Sequence, residues 1–488
     1  AEATDLTGVP TMIFDVPSST VSVAAGGQLD FRYLRVEQTI TLTAFIPDLN
    51  NINYNSVNLR QVGDTFISSV SSSSHHDDNN GQIVMSSDGN IIAIAQEYIN
   101  PGTINIYKRD GASATGWSQL GTNQPTGTRY EFPDYGVIKM TKNGHIVGCK
   151  DRINNGTSVF AYNETTDEWN SYPLFTDGGS SFMLYYSSSD NRIYIFANYS
   201  VSNPSTSYRM KLLWRDADSY SGSWSNNYET IQYQTTTSMR IHDMTETSDG
   251  KIMLAYRYSS SSNRLVIAHT AKSNLGGSSE NWTSSDNYEF INLDEYPNSA
   301  KFDETGYKIA ITGSTKSYIY SSSDQGSTWS QVGGTIEAST TGNVHSGSRI
   351  MCNNDCSLVA IGYGVSKPGY VRVYRYRTVT QSEWTNGNTT DFESSTGNPI
   401  IVTGGDTSWT DGKSYWVQDG EDIKDTTTDD YDERYFGRNI SLSSNGMRLA
   451  VHSYSNTTSL PDVQMVYDLY DYALLPEKTS TITAGDYF

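Results

Sequence analysis

The chain has few cysteines and no long apolar run. Three cysteines in 488 residues are too few for a disulfide scaffold or for a zinc cluster with C-x-x-C ligands. Cys352 and Cys356 lie four positions apart, so they either close a small loop or stay reduced, and we expect free thiols. No apolar stretch approaches the roughly 20 residues that cross a bilayer. Membrane insertion is therefore not expected.

Positive charge is also scarce. Lys and Arg total 33 against 54 Asp and Glu, which gives a formal net charge of −21. The field of such a surface repels phosphate backbones, and nucleic acid is not expected as a partner. The negative charge serves either as a solubilising surface or as an acidic recognition patch, and we favour the first.

Repeated turns organise most of the chain. A turn between two apolar strands recurs seven times, at Gly89, Gly144, Asn191, Gly250, Gly306, Cys356 and Gly446. Successive copies are 47 to 59 residues apart, except for one interval of 90. Asp-Gly and Asn-Gly favour the positive φ of tight hairpins, and a period near 50 is typical of β-propeller blades. We predict an all-β, seven-bladed propeller.

Tryptophan marks an expected fourth strand in six copies, at Trp117, Trp169, Trp224, Trp282, Trp329 and Trp416. The seventh copy lacks one after its third strand. A similar segment, residues 59–66, instead lies before the first blade. We therefore predict that this early strand completes the last blade, so that the ring closes by strand exchange between the chain ends.

Three segments follow from this assignment. Residues 1–57 form a short N-terminal β module or anchoring segment, because they alternate like strands but do not match the repeat. Residues 58–471 form the propeller, and an insertion at about 385–413 in blade six explains the long interval. Residues 472–488 form a C-terminal tail.

One stretch resembles a known repeat. Trp416-Val417-Gln418-Asp419-Gly420, followed by Phe436-Gly437 and the turn at Gly446, is similar to the FG-GAP repeats of integrin-α-like propellers. The resemblance covers about residues 58–471. It implies a propeller that serves mostly in adhesion or as a scaffold, and it says little about activity.

A second, local resemblance concerns the Asp-box of sialidase-like propellers, carried by Ser322, Asp324, Gly326 and Trp329. Asp324 can cap a tight turn that Gly326 permits, and Trp329 can pack between blades. In that family the box is structural and lies opposite the active site. The resemblance assigns these residues a structural role.

A sialidase-like enzyme would need three arginines on a carboxylate, a tyrosine activated by a glutamate and an acid/base aspartate. Arginines do fall near strand ends, at Arg129, Arg152, Arg257 and Arg438. None lies in that family's N-terminal motif, which Phe31-Arg32-Tyr33-Leu34 only approaches. We interpret them as surface or strand-pairing residues and assign no catalytic residue.

Two candidate ligand sites remain. The acidic loop 419–433 offers oxygen ligands suited to calcium, although it lacks the D-x-D-x-D-G pattern; its carboxylates are Asp422, Asp425, Asp429, Asp430 and Asp432. Tyrosines that fall in or beside the second-to-third-strand loops could stack on a sugar or anchor a protein: Tyr98, Tyr199, Tyr258, Tyr363 and Tyr454. Ordinary packing is the alternative for both sets.

The sequence therefore predicts a non-enzymatic propeller on an extracellular or virion-like particle surface. Its expected role is attachment or assembly, with protein neighbours or cell-surface glycans as partners and no cofactor except possible calcium. A sialidase-like glycoside hydrolase and a glycan-binding lectin without turnover are the alternatives.

Overall fold

The computed structural model describes residues 20–23, 40–44, 60–62, 65–67, 82–95, 102–109, 116–127, 138–151, 156–174, 182–201, 207–218, 224, 229–231, 240–257, 262–272, 288–337, 349–364, 368–387, 389, 400–425, 434–455, 463–469 and 478–482. The chain divides into two compact units, residues 61–469 and the two chain ends, 1–60 with 470–488.

The unit of the chain ends contains a three-stranded sheet. Strands β1 (Thr20–Val23) and β2 (Ile40–Ala44) are parallel, and β2 pairs antiparallel with β35 (Lys478–Ile482). A strand of residues 472–488, which the sequence suggested as a separate tail, thus joins the N-terminal module in one sheet. The predicted limits at residues 57 and 471 stay predictions.

The larger unit contains seven antiparallel sheets, which are the blades of a propeller. Blade one contains β5 to β9: Gln82–Met85, Ile91–Ala95, Gly102–Arg109, Trp117–Gln119 and Thr126–Gly127. Blade two contains β10 to β13: Ile138–Met140, Ile146–Asp151, Gly156–Asn163 and Glu168–Ser171. Blade three contains β14 to β17: Phe182–Ser187, Arg192–Val201, Ser207–Asp216 and Glu229–Ile231.

The next three blades follow the same order. Blade four contains β18 to β21: Arg240–Glu246, Lys251–Arg257, Arg264–Ala271 and Tyr288–Asn292. Blade five contains β22 to β26: Ser299–Phe302, Lys308–Thr312, Lys316–Ser321, Ser330–Gln331 and Ile336–Glu337. Blade six contains β27 (Arg349–Cys352), β28 (Leu358–Gly362), β29 (Val371–Thr378), helix α1 (Gln381–Asn386), β30 (Ile401–Val402) and β31 (Ser414–Gln418).

Blade seven closes the ring. It contains β32 (Arg434–Leu442), β33 (Arg448–Ser455) and β34 (Val463–Asp468), and its outer edge is formed by β3 (Arg60–Gln61) and β4 (Phe66–Ile67). Val62 N donates to Val466 O at 2.7 Å, and Phe66 and Ile67 pair with Gln464 and Val463. The predicted seven-bladed fold and its closure by strand exchange are confirmed.

The repeated turn has the predicted backbone geometry. All seven positions have positive φ, from 50° at Cys356 to 79° at Gly144 and Gly250. In blade one, Ser86 Oγ accepts from Ile91 N at 2.9 Å and donates to Asp88, which fixes the turn from both sides. In each blade this turn connects the inner strand, which is the first of its blade, to the second strand with a similar backbone geometry.

The core lies between adjacent blades. The second strands of blades one and six, Ile91–Ala95 and Leu358–Gly362, are buried at every position. Such strands pack against neighbouring sheets on both faces, which is why they read as continuous apolar runs rather than as an alternation.

Trp224 lies outside the outer strand that it was expected to mark. Trp224 precedes β17 by five residues, is buried, and donates to Pro173 O at 2.7 Å. It fills the interface between blades two and three, because its ring also packs against Tyr172, tilted by 50° at a centroid distance of 6.1 Å. In blade four the outer strand is Tyr288–Asn292, and Trp282 lies outside the described residues.

Helix α1 and strand β30 lie between the third and fourth strands of blade six, β29 and β31. The predicted limits of the insertion, about 385–413, stay a prediction. Helix α1 begins with a capping box, in which Glu383 N donates to Thr380 Oγ1 and Thr380 N donates to Glu383 Oε2. Strand β30 then pairs outside β31 and extends this blade to five strands. The insertion therefore thickens the outer edge and leaves the inner strand unchanged.

Candidate functional site

The inner strands of the seven blades surround a central cavity of about 210 Å³. In six blades the residue five positions before the turn lines this cavity: Val84, Lys139, Thr245, Lys301, Met351 and Ser441. In blade three, Tyr185 and Tyr186 line it, six and five positions before Asn191. Because side chains alternate along a strand, the residue two positions earlier also lines it. These residues include Gln82, Asp243, Ser299, Arg349 and Asn439. Each blade thus contributes one or two side chains to a shared channel.

A belt of contacts narrows the turn side of the channel. Ser87 N donates to Lys142 O, Ser444 N to Ser87 O, Asn354 N to Ser444 O, and Glu304 N to Asn354 O, all at 2.6 to 2.9 Å. The Lys142 ammonium then donates to the Glu304 carboxylate at 3.2 Å. This loop joins blades two, one, seven, six and five. The wider access to the channel is therefore expected on the opposite side, where the inner strands begin.

Positive side chains concentrate inside this acidic protein. Lys139, Arg240, Lys301 and Arg349 come from blades two, four, five and six, and all four line the cavity. Asp243 is a carboxylate in their midst and is only 2% exposed. Low-dielectric walls strengthen and focus such a field. The channel centre is therefore suited to an anion.

Lys301 and Lys139 occupy equivalent positions but have different surroundings. The Lys301 ammonium lies 3.1 Å from Asp243 Oδ1, and the other carboxylate oxygen accepts from Phe302 N at 2.8 Å. Burial lowers the pKa of Lys301, but the Asp243 charge and hydrogen bond outweigh it and raise the pKa overall. For Lys139, burial and the Arg349 charge, opposed in part by Asp243, lower the pKa to about 8.

His242 lies beside this cluster on a β-bulge. Ile241 pairs with Tyr256 and Asp243 with Ala255, so His242 is the extra residue on the inner strand of blade four. Bulges often redirect side chains next to binding sites. Its Nε2 is buried and has no hydrogen-bond partner within the described part of the chain. Burial, followed by the charges of Arg240 and Arg257, holds the pKa of His242 well below its usual value.

The structure separates the described carboxylates of the acidic loop. Asp422 accepts two hydrogen bonds from Arg372, at 2.7 and 3.1 Å, whereas Asp425 accepts from Ser453 at 2.9 Å and is buried. Asp429, Asp430 and Asp432 lie outside the described residues. No group of three or more metal-ligand side chains occurs where the structure describes the chain. Calcium binding by this loop stays a prediction.

Tyr363 is a core residue and not an exposed ring. It is 2% exposed, stacks on Tyr370 at 4.7 Å and lies under the Arg372 guanidinium. The expectation that Tyr363 could bind a sugar on the surface is corrected, because blade packing covers its ring. Tyr98 and Tyr258 lie outside the described residues, as do the side chains of Tyr199 and Tyr454.

The loop 322–329 forms the tight turn that its residues predict. Asp324 accepts from Thr328 N at 2.8 Å and from Thr328 Oγ1 at 2.6 Å, while Ser322 Oγ accepts from Gly326 N at 2.8 Å. These hydrogen bonds lower the pKa of Asp324 to about 2. Trp329 packs on the cluster between blades four and five. The structural role of this loop and its identity as an Asp-box both stay predictions.

The described residues provide only part of a sialidase-like constellation. Tyr185 donates to Glu246 at 2.8 Å, but burial and Glu246 raise the pKa of the phenol, which disfavours the phenolate that a nucleophile needs. Arg257 pairs with Arg240 across two strands of blade four, next to the channel. Arg438 lies over the Tyr435 ring. Arg129 and Arg152 lie outside the described residues.

Most of the cationic cluster could not be found from the sequence. Its four members come from four different blades, and successive members are 48 to 101 positions apart in the sequence. One signal was available: a charged residue interrupts the apolar inner strand at the same distance before the turn in blades two and five. Periodic alignment of the blades would have found Lys139 and Lys301.

Comparisons with known proteins give no family. No protein-family model and no curated protein matches the chain. Solved structures with similar folds include the periplasmic gluconolactonase of Pseudomonas aeruginosa, at 10% identity and a TM-score of 0.42, covering 83% of this chain and 99% of that one. Oligogalacturonate lyase from Vibrio parahaemolyticus matches at 12% identity and a TM-score of 0.42, covering 84% and 98%.

A third similar structure is the hydrazine synthase of Kuenenia stuttgartiensis, at 10% identity and a TM-score of 0.43, covering 85% of this chain and 99% of that one. Enzymes are thus among the similar structures. Likeness at this level carries no argument about the function of this chain. The FG-GAP resemblance, which no family model supports, stays a prediction. The described part of the chain holds no helix with the length and hydropathy of a membrane span.

Proposed function

We propose that this protein is a binding propeller whose central channel takes a small organic anion. The observation that carries the proposal is the cluster of Lys139, Arg240, Lys301 and Arg349 in the channel of a chain with a net charge of −21. One carboxylate of the cluster, Asp243, already pairs with Lys301. With Lys142, Asp303 and Glu304 included, five positive side chains and three negative ones line the cavity, which favours an anion over a cation.

The physics of the channel supports a bound anion. Charges of one sign that converge in a partly dry site repel one another, and this repulsion contributes to the low pKa of Lys139. An anion relieves the repulsion and gains charge-assisted hydrogen bonds. Because repulsion between these cations lowers the stability of the protein without a ligand, we interpret the cluster as a preorganised binding site and not as a stabilising feature of the fold.

The size of the cavity limits the ligand. Drug-sized ligands occupy pockets of about 300–1,000 Å³, whereas this cavity measures about 210 Å³. Ser299 and Asn439 add hydroxyl and amide groups to the lining. A carboxylic acid no larger than one sugar unit fits both the volume and the mixed polar wall.

Calorimetry on the full chain at pH 7 tests this function. We expect a small carboxylic acid such as a uronic acid to bind, and its neutral amide to bind at least tenfold more weakly. Arg349→Met should reduce the affinity at least tenfold, whereas Lys316→Met, a substitution outside the channel lining, should leave it unchanged. Equal affinity for acid and amide, or equal loss in both variants, would overturn the proposal.

The attachment role expected from the sequence belongs to the same proposal. Carboxylate-bearing glycans on a cell or particle surface present the chemistry that the channel accepts. A glycan array with acidic glycans and their carboxyl-reduced forms distinguishes this source of the anion from a free acid. Protein neighbours in an assembly are tested by deleting residues 1–57 and measuring incorporation into the particle.

Catalysis is the competing function. The pair of Tyr185 and Glu246 is the observation that favours it, and the raised pKa of the phenol is the observation against it. A panel of fluorogenic sialosides and uronides, assayed with the wild-type protein, decides between them. Turnover that Tyr185→Phe abolishes would replace the binding function by a hydrolase.

A further inference from the structure

Lys139 and Lys301 occupy equivalent positions in two blades, but only Lys301 has a carboxylate within ion-pair distance among the described residues. Lys139 and Lys301 each lie five residues before the turn glycine of their blade, at Gly144 and Gly306, and both face the cavity. Lys301 has the carboxylate of Asp243 at 3.1 Å. In the described part of the chain, the Lys139 ammonium makes no ion pair or hydrogen bond. Two lysines of one protein thus have opposite electrostatic environments.

The groups around Lys139 come from three other inner strands. Arg349 of blade six and Lys301 of blade five act on it as like charges, and Asp243 of blade four acts as a more distant opposite charge. The Lys139 charge also acts on His242 of blade four, whose buried Nε2 has no hydrogen-bond partner among the described residues. An amine, a neutral imidazole and a cation therefore line the same small cavity.

We propose that Lys139 is a reactive amine that captures the carbonyl group of a bound 2-oxo acid or aldehyde acid as an imine. The proposal rests on the anion-binding function, because Arg349 is assigned to the ligand carboxylate. It extends that function from reversible binding to covalent capture. The chemical class of the ligand is thereby narrowed to acids that carry an aldehyde or ketone next to the carboxylate.

The reaction is balanced with the groups present. The lone pair of the neutral Lys139 Nζ attacks the carbonyl carbon, a C–N bond forms, and the carbonyl oxygen becomes a hydroxyl group. The C–O bond then breaks, and the oxygen leaves as water with the two protons that the amine loses. We assign the passage of these protons to His242, which lines the same cavity. No oxidant or reductant is needed.

The protonation states support the choice of Lys139 over the other lysines. Its pKa of about 8 leaves about half of the amine neutral at pH 8. An ordinary lysine with a pKa of about 10.4 is less than about 1% neutral at that pH. Desolvated lysines beside another cation are the usual imine-forming lysines of enzymes. Lys301, whose pKa is raised, stays protonated and serves as an internal control.

The experiment is reductive trapping on the folded full chain. The protein is incubated at pH 8 with glyoxylate and cyanoborohydride, and the modified lysines are found by peptide mass spectrometry. We expect Lys139 to be modified at least tenfold faster than Lys301 or the half-buried Lys316. Unfolding in urea should remove the preference. Lys139→Arg should remove the main adduct, and Lys316→Arg should not.

Two further arms separate this inference from the proposed function. A neutral aldehyde of similar size reports on the amine alone, and calorimetry with a non-carbonyl acid such as glycolate reports on anion binding alone. Binding of glycolate without preferential labelling of Lys139 would overturn the inference and leave the anion site intact. Equal labelling of Lys139 by the acid and the neutral aldehyde would show that the amine is reactive without help from the anion site. It would overturn the role of Arg349 in holding the ligand carboxylate during capture.

Discussion

Lys301 Nζ and Asp243 Oδ1 lie 3.1 Å apart and join the inner strands of blades five and four inside the channel. The pair is asymmetric, because the lysine side chain is 39% exposed to the channel and the aspartate side chain only 3%. From its buried position, Asp243 therefore favours the protonated form of Lys301.

Asp243→Asn should give Lys301 a lowered pKa and a reactive amine, like those expected of Lys139. The amide keeps an oxygen for Phe302 N but no longer stabilises the Lys301 charge, so the pKa of Lys301 should fall. We expect Lys301 to become labelled by glyoxylate and cyanoborohydride several times faster than in the wild-type protein. Unchanged labelling of Lys301 would show that Asp243 does not control it.

Lys139→Met should stabilise the protein. A pKa lowered from 10.5 to about 8 corresponds to about 3 kcal/mol at most, at 1.36 kcal/mol per unit. In the folded state the charged lysine is disfavoured, so the wild-type protein carries this cost below pH 8. The cost disappears as pH rises from about 8 to 10.5, because there the unfolded chain binds more protons than the folded one.

Urea denaturation at pH 7 and pH 10 measures this effect. The gain in free energy of unfolding from Lys139→Met should be largest at pH 7 and fall to about 1 kcal/mol or less at pH 10. Lys316→Met provides the matched control, because Lys316 lies outside the channel lining and pairs with Asp294 at the surface. A gain that does not change with pH would point to packing rather than charge.

Arg448 should be essential for closure of the ring. Its Nε donates to Asp468 Oδ1 at 2.8 Å within blade seven, and its Nη1 donates to Gly89 O at 2.5 Å in blade one. Arg448→Met leaves the largely buried Asp468 with the longer contact to Arg109, at 3.6 Å. We therefore expect a cost of about 3 kcal/mol, at the low end for a buried pair that is broken. An exposed pair contributes about 0–1 kcal/mol, so Lys316→Met should cost far less. Similar losses in both variants would contradict this role.

The strands within residues 60–67 should contribute more to the stability of the propeller than residues 1–57. A chain that lacks residues 1–67 loses the bond from Val62 N to Val466 O, the pairing of Phe66 and Ile67, and the acceptor of Trp117 Nε1, which is Val62 O at 3.1 Å. We expect a large fall in melting temperature, measured by calorimetry. A chain that lacks only residues 1–57 keeps these bonds, and its propeller transition should stay close to that of the full chain.

The blade pattern was predictable because it is local. The positive φ at Gly89, Gly144 and the other five turns follows from residue types that tolerate this geometry. The closing strand was predictable because residues 59–66 repeat a pattern missing from the last blade. Trp224 misled the placement of an outer strand, since a tryptophan can fill an inter-blade interface outside a strand.

The candidate site was not predictable in the same way. Tyr363 is polar enough to suggest a surface role, yet packing on Tyr370 buries it. Asp422 lies in an acidic loop that suggests a cation site, yet Arg372, 50 residues earlier, takes both of its oxygens. Long-range partners decided both cases.

The sequence by itself determined that seven hairpin-based sheets form and that the two ends of the propeller complete one blade. Periodic apolar strands and turn residues encode these features over short distances in the sequence. The hydrophobic effect is non-directional, so an apolar pattern of this period is enough to drive burial of the strands. Only the tertiary structure decided that Lys139, Arg240, Lys301 and Arg349 face one another. Closure of the ring brings together residues up to 210 positions apart, and their pKa values depend on that convergence rather than on any local motif.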